Sequence, residues 1–429
     1  MNRAVLSLLV LIFGLTPVAR AQAAKDRMVV LISLDGFPAY YLADPKLPAP
    51  TLRQLIATGS WAKAMQPVNP TWTWPNHTTF VTGVKPPDHG LLYNGTLIRK
   101  DDPLSVKIDP SIPKVQMVHS PTLYDIAHDA GLTTAQVDWV AINDAPAITW
   151  AFPEKASSSD ALVKEMIEHR ALAASDVDDK ATIVWRDQTW TKAGVYLIRE
   201  HRPNLLLFHL LTGDSTHHNY GPGPLAGYDA AAFLDSCVKQ LVDAVKKAGM
   251  IERTTFFVVS DHGFKKVDKQ ISLKNVLAQT KLGADAQAIP EGGSAMIYVS
   301  HHRRDLVDEV RKAFSGVEGV EHIADESEYA SLGFPLPSAD AQMPDLVIDA
   351  RAGYAFSNGT GGAGHTTGAH GYPNSDPEMQ AIFIANGYGI RSGVVLDRIP
   401  NTSVAPALAR LLGIKPPTMD VSALNSIFQ

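Results

Sequence analysis

The sequence predicts an α/β chain with a doubly wound, largely parallel central sheet and a smaller α+β insertion, on three observations. The runs Met28–Leu34, 204–211 and 254–260 are almost continuously apolar, the pattern of strands buried on both faces. Helical stretches separate them, the order from which parallel sheets are built. Each run then breaks into a polar segment carrying an aspartate: Asp35, Asp214 and Asp261. Sheets of this kind place their sites just beyond the carboxyl ends of the strands.

The other elements follow in order. Residues 52–58 read as a helix. The stretch from Asn69 to His77 contains Thr73-Trp74-Pro75, and Pro75 suits a first helical turn because it has no N–H to lose and a preset φ. A short helix then runs to Thr82 and stops at Gly83, with Thr73 at the N-cap. That position has two readings: a plain cap, or a hydroxyl at a helix mouth suited to anions. Residues 122–130 read as a helix, 133–138 as a strand, and 156–202 as mostly helical because Gly and Pro are nearly absent. Residues 228–249 form a long helix closed by Gly249. From 264 to 367 the rhythm shortens, with strands at Ser294–Val299 and 346–349 around a helix at 305–314, which we read as an inserted α+β subdomain. A glycine-rich return at 361–371, a strand at 381–385 and a helix at 403–412 complete one catalytic-size domain, 24–429.

Composition narrows the function classes. With 45% hydrophobic and 19% charged residues the chain has ample material for a packed core. The net charge of −6 and the lack of any lysine or arginine run exclude a nucleic-acid polymer as a standing partner. Residues 1–23 read as a secretory signal: Arg3 is followed by an apolar segment and by Ala19-Arg20-Ala21 or Ala21-Gln22-Ala23 for cleavage. The expectation is secretion, to the periplasm, with no membrane span after signal removal; an uncleaved N-terminal anchor is the alternative. Cys237 is the single cysteine, so an intramolecular disulfide is excluded, and its helical surroundings point to the core.

The chemistry lies in Asp35, Asp214, His218, Asp261, His262 and His370. Singly, each is an ordinary cap or a hydrogen-bonded histidine. Together they mix oxygen and nitrogen donors, a set that fits zinc or another borderline divalent metal better than calcium. Six ligands and a threonine oxygen suit two ions. Such a pair can lower the pKa of the Thr73 hydroxyl and hold the leaving oxygen of an in-line displacement at phosphorus, which decides the Thr73 question in favour of a nucleophile. Asn94 is either a turn residue in Tyr93-Asn94-Gly95 or an amide donor to a nonbridging phosphoryl oxygen.

Several motifs carry a resemblance. Leu34-Asp35-Gly36-Phe37, the run from Pro70 to His77, Val81-Thr82-Gly83, His89-Gly90, the segment from Asp214 through His218 to Pro222, Ser260-Asp261-His262-Gly263 and His370-Gly371-Tyr372 resemble the nucleotide pyrophosphatase/phosphodiesterase family of the alkaline phosphatase superfamily. The resemblance covers nearly the whole chain after the signal. It implies an alkaline-phosphatase-like fold, Thr73 as nucleophile, Asn94 as phosphate contact, one Zn2+ on Asp214, His218 and His370, and a second on Asp35, Thr73, Asp261 and His262. It also places an aromatic, here Trp74, beside the organic group. Where the family commonly has Phe this chain has Trp74, and where it has a Trp-Pro-Gly turn this chain has Trp139-Val140-Ala141-Ile142, so the organic-group pocket departs from the pattern. His217 and His365 adjoin ligands without a matching role. The expected activity is that of a secreted two-zinc phosphodiesterase acting through phosphothreonine on a nucleotide, nucleotide sugar or phospholipid head group. The rivals are a phosphomonoesterase or phosphonate hydrolase on the same scaffold, and a zinc- or phosphate-binding protein without turnover.

Overall fold

A computed structural model describes residues 25–177, 181–359, 367–418 and 422–429. The signal-like segment, most of the glycine-rich return and His365 lie outside these residues. Eight strands make the main sheet: β1 (Met28–Leu34), β2 (Ser60–Gln66), β3 (Thr134–Val137), β4 (Trp150–Phe152), β5 (Leu205–Leu210), β6 (Thr254–Val259), β7 (Ala381–Gly387) and β8 (Val394–Pro400). Their spatial order is β8-β2-β7-β6-β1-β5-β3-β4. Only β7 runs against its neighbours, β2 and β6; the other pairings are parallel.

Strand β1 is central because its side chains serve two cores. Met28, Val30, Ile32 and Leu34 pack on one face with Leu52, Met166, Trp190 and Leu234 from the helices Pro50–Thr58, Ala161–Glu168, Ile183–Tyr196 and Ala226–Lys247. Val29 and Leu31 face Leu123, Ala127, Leu408 and Leu412 from the helices Leu123–Asp129 and Val404–Leu412. Burial of each such side chain contributes about 1.5–3 kcal/mol, which is why an unbroken apolar run is needed here. Register then sets the site. Ser33 pairs with both His209 and Val259, so β5, β1 and β6 end level, and the residues that follow them meet at one edge.

Residues 286–350 build a four-stranded sheet in the order Ala286–Glu291, Ser294–Val299, Leu346–Ala350, Val320–Ala324, with the helix Arg304–Ser315. A separate sheet joins Gly353–Ser357, Lys265–Ser272 and Gly368–Ala369. Its antiparallel pair, Ala369 opposite Lys265, returns the chain so that His370 stands beside His262. Several elements escaped the sequence reading. Strand β2 breaks its apolar residues with Lys63, β8 has only three consecutive apolar residues, Val394 to Leu396, before Asp397 and Arg398, and the polar segment after β5 is a helix, Thr212–Tyr220. Among the described residues no helix is long and apolar enough to cross a membrane.

Candidate active site

Asp35 follows β1, and Asp261 with His262 follows β6; all three are buried. The turn at Gly36 has a φ of 65°, which suits a residue without a Cβ. It lets the Gly36 amide donate to Asp261 Oδ1 at 3.2 Å, while the His262 amide donates to the same oxygen at 3.0 Å. His262 Nδ1 donates to the Gly263 carbonyl at 3.1 Å, because a carbonyl can only accept, and this leaves Nε2 with a free lone pair. Nε2 then lies 3.5 Å from Asp35 Oδ1 and 3.2 Å from Asp261 Oδ2.

The second cluster is built the same way. Asp214 and His218 sit four residues apart on the helix Thr212–Tyr220, so both side chains leave one helix face. His218 Nδ1 is tied to the Gly368 carbonyl (3.3 Å) and His370 Nδ1 to the Thr71 carbonyl (2.9 Å), and both Nε2 atoms turn to Asp214 Oδ1 at 3.3 and 3.7 Å. The rings of His262 and His370 stack with centroids 3.8 Å apart.

Asp214, His262 and His370 offer ligand atoms within 4.8 Å of one another, and so do Asp35, Asp261 and His262. Asp35 Oδ1, Asp214 Oδ1, Asp261 Oδ2 and His262 Nε2 are buried with no hydrogen-bond partner. Burial, then repulsion from Asp261 and Asp214, raises the Asp35 pKa well above the carboxylate range. Burial lowers His262 to about 4 and His370 to about 3, so both rings are neutral and their Nε2 lone pairs are available. Converging carboxylates and neutral imidazoles without partners fit divalent cations with mixed oxygen and nitrogen preference.

Thr73 opens the helix Thr73–Thr82, which ends at Gly83 with φ 73°. The sequence reading made Thr73 the N-cap; here Trp72 is the N-cap and Thr73 is the first helical residue, because the Asn76 side chain claims the Trp72 and Pro70 carbonyls. The mouth offers fewer amides than a bare helix end. Trp74 N–H donates to Asn94 Oδ1 at 2.9 Å, Pro75 has no hydrogen, and Asn76 N–H reaches the Trp72 carbonyl at 3.4 Å. That bond fixes Asn94 with its oxygen inward, leaving its NH2 free to donate. The Thr73 carbonyl accepts from His77 Nδ1 at 2.9 Å, and that nitrogen lies 3.6 Å from Asp261 Oδ2, so the helix is coupled to the carboxylate cluster. Trp72 is fully buried against Tyr93. Trp74 is half-buried and lines a cleft of about 880 Å³ with Trp139, Asn143, Asp144, Glu154 and Lys155.

Four neighbours went unremarked in the sequence. His77 is buried and neutral, its pKa lowered to about 3 chiefly by burial. His209 lies in β5, and its presence in an otherwise apolar strand was the available signal. Asp138 is another strand-end aspartate, after β3. Glu291 carries a pKa raised to about 7 by burial, with Asp214 and His218 close enough to act on it electrostatically. His217 supports the Gly36 turn by donating from Nδ1 to its carbonyl at 3.0 Å, while Nε2 meets the Tyr41 hydroxyl at 2.9 Å.

Fold and site together define the class. This is the alkaline-phosphatase-like α/β fold, shared with human ectonucleotide pyrophosphatase/phosphodiesterase 5 at a TM-score of 0.74 and 20% identity, over 94% of this chain and 100% of that one. The chain belongs to the type I phosphodiesterase/nucleotide pyrophosphatase family, whose sequence pattern matches residues 29–373. It is 24% identical over 403 residues to ectonucleotide pyrophosphatase/phosphodiesterase family member 3 of Rattus norvegicus, covering 90% of this chain and 42% of the relative. It is 26% identical over 410 residues to family member 1 of Homo sapiens, covering 90% and 40%. To human family member 7 it is 25% identical over 411 residues, covering 94% and 83%. The chain thus spans about two fifths of the length of the first two relatives.

Proposed function

We propose that this chain is a two-metal phosphodiesterase, cleaving phosphodiester or pyrophosphate bonds of nucleotide-like small molecules with Thr73 as nucleophile. The observation that carries the proposal is the convergence of unpartnered carboxylate oxygens and neutral histidine nitrogens at the edge where β1, β5 and β6 end, coupled through His77 to the first turn of the Thr73 helix. Zinc ions held by Asp214, His218 and His370 and by Asp35, Asp261, His262 and Thr73 would supply charge neutralisation and a lowered hydroxyl pKa. Thr73 Oγ1 forms a bond to phosphorus as the bond to the leaving alkoxide breaks; the hydroxyl proton passes to solvent, and the alkoxide takes one from it. Water then displaces Thr73 from phosphorus, restoring the hydroxyl and releasing the monoester. Asn94 NH2 donates to a nonbridging oxygen in both steps, and Trp74 packs the organic group against the cleft wall.

Charge supports a diester over a monoester. A monoester approaches two negative charges above its second pKa of about 6, and a site selecting it needs a cation. No lysine or arginine lies between Asn69 and Gly83. Lys265 is paired with Asp376 and Glu378. A related structure, the murine member 5 in an inactive form, is described in complex with AMP, which supports a nucleotide as the organic group. Residues 1–23 serve as a secretory signal for a periplasmic domain at 24–429, with 264–367 as its insertion. The N-terminal sequence of protein recovered from the periplasm tests that arrangement. The activity is tested with an aryl ester of thymidine monophosphate, the matching aryl monoester and an aryl phosphonate side by side. The diester should give the highest kcat/KM. Preference for the monoester would overturn the reading and direct attention to Lys155, the lysine lining the cleft.

A further inference from the structure

His209 interrupts an apolar strand and is 1% exposed, yet both of its ring nitrogens are occupied. Nδ1 lies 3.0 Å from the Asp138 carbonyl oxygen and 3.2 Å from Asp138 Oδ2. Nε2 lies 3.0 Å from Asp35 Oδ2. A carbonyl only accepts, so Nδ1 carries a hydrogen, and Nε2 and Asp35 Oδ2 share a second one between them. The local backbone of Asp138 is shaped for this contact. Its φ of 54° is unusual for a residue with a Cβ, and it turns carbonyl and carboxylate toward the same nitrogen. Its amide is held by the Phe152 carbonyl at 2.9 Å, and Oδ2 is buried with no hydrogen-bond partner.

Asp35 thereby has two unlike oxygens. Oδ2 is clamped by His209, whereas Oδ1 has no hydrogen-bond partner and faces His262 and Asp261. We infer that Asp138 and His209 are positioning residues for the cation site containing Asp35: they fix the carboxylate so that Oδ1 alone is presented to the site. A carboxylate without this clamp could rotate and turn either oxygen to the site. Hydrogen-bond partners of this outer kind are worth roughly ten- to a hundredfold in metal affinity. The pair acts on one site only, because no contact joins His209 or Asp138 to Asp214, His218 or His370 among the described residues.

The inference rests on the metal-centre reading, and the experiment separates the two. Zinc content of the purified enzyme after dialysis is measured together with affinity in competition with a chromogenic chelator, for wild type, His209→Phe, His209→Gln and Asp138→Asn, and circular dichroism reports on folding. Wild type should hold two equivalents. His209→Phe should bind one of them about 10–100-fold more weakly and the other unchanged, with His209→Gln partly rescued by its single amide donor. Should His209→Phe fail to fold, Asp138→Asn keeps the bulk and the backbone acceptor and should show a smaller loss at the same single site. Two equivalents at wild-type affinity in the folded variants would overturn the positioning role alone. No stoichiometric zinc in wild type would overturn the metal centre and this inference with it.

Discussion

In the proposed mechanism the Thr73 hydroxyl and the Asn94 amide divide the chemistry between them. Thr73→Ala should lose most of kcat while keeping its metal and binding the monoester product, because Asp35, Asp261 and His262 remain to hold the cation beside it; Thr73→Ser should retain measurable turnover. A substrate of chiral phosphorus should give net retention from two inversions, and net inversion would mean direct attack by water. Asn94 is oriented by a single bond, Trp74 N–H to Oδ1, which leaves the donor side for substrate. Asn94→Ala should lower kcat by about 10²–10³-fold with little change in Tm, measured on the aryl diester.

At the next scale, two helices aim the site and each is pinned by one buried side chain. Asn76 accepts from Val68 N–H and the Asn401 amide, both at 2.8 Å, and donates to the Pro70 and Trp72 carbonyls at 3.1 and 2.8 Å. It ties the loop before Thr73 to the helix that follows. Asn76→Ala leaves the Val68 N–H and the Asn401 amide without this acceptor and strips one of two donors from each of the Pro70 and Trp72 carbonyls, and should lower unfolding free energy by at least about 2 kcal/mol, read by denaturant titration. Asp187 does the equivalent for the helix carrying Asp214 and His218, accepting from Leu211 N–H at 3.0 Å and Thr212 N–H at 2.9 Å. Burial raises its pKa to about 6, with the amide bonds offsetting part of the cost of the charge. A carboxyl whose folded pKa exceeds its unfolded value binds its proton more tightly in the native state. Its contribution to stability is therefore greatest below the unfolded pKa and declines as pH rises from about 4 to 6. Asp187→Asn should flatten that segment of the stability profile; an unchanged profile would remove Asp187 as its source.

For the molecule as a whole, the candidate cation clusters join distant parts of the chain: Asp35 from the end of the first strand, His262 from the end of the sixth, and His370 from just after the strand Gly368–Ala369. Chelation should abolish activity and lower Tm by at least about 5 °C, and zinc should restore both, because the converging carboxylates repel once their cations are gone. Full turnover in verified metal-free protein would contradict the proposed mechanism. His370→Ala should be nearly as damaging as Asp261→Ala despite the separation in sequence, since the Gly368–Ala369 pairing brings the two residues to one place.

The sequence by itself determined the central sheet, because strands buried on both faces leave continuous apolar runs, and it marked the edge of the site because each run broke at an aspartate. Only the tertiary structure decided the rest. Strands β2 and β8 have no long apolar run to betray them and are recognised by their pairing; Thr73 moved from cap to first helical residue because Asn76, three positions on, claims the carbonyls before it. His209 stands out only as a polar residue in an apolar strand and Asp138 only as a further strand-end aspartate, while Glu291 carries no local signature. Their roles come from which atoms face which across the sheet and the insertion, and that depends on register and on backbone direction, as at Asp138, where a positive φ points two acceptors at one nitrogen. Hydrophobic periodicity encodes which face is buried, whereas the partner of a buried polar atom is set by three-dimensional geometry.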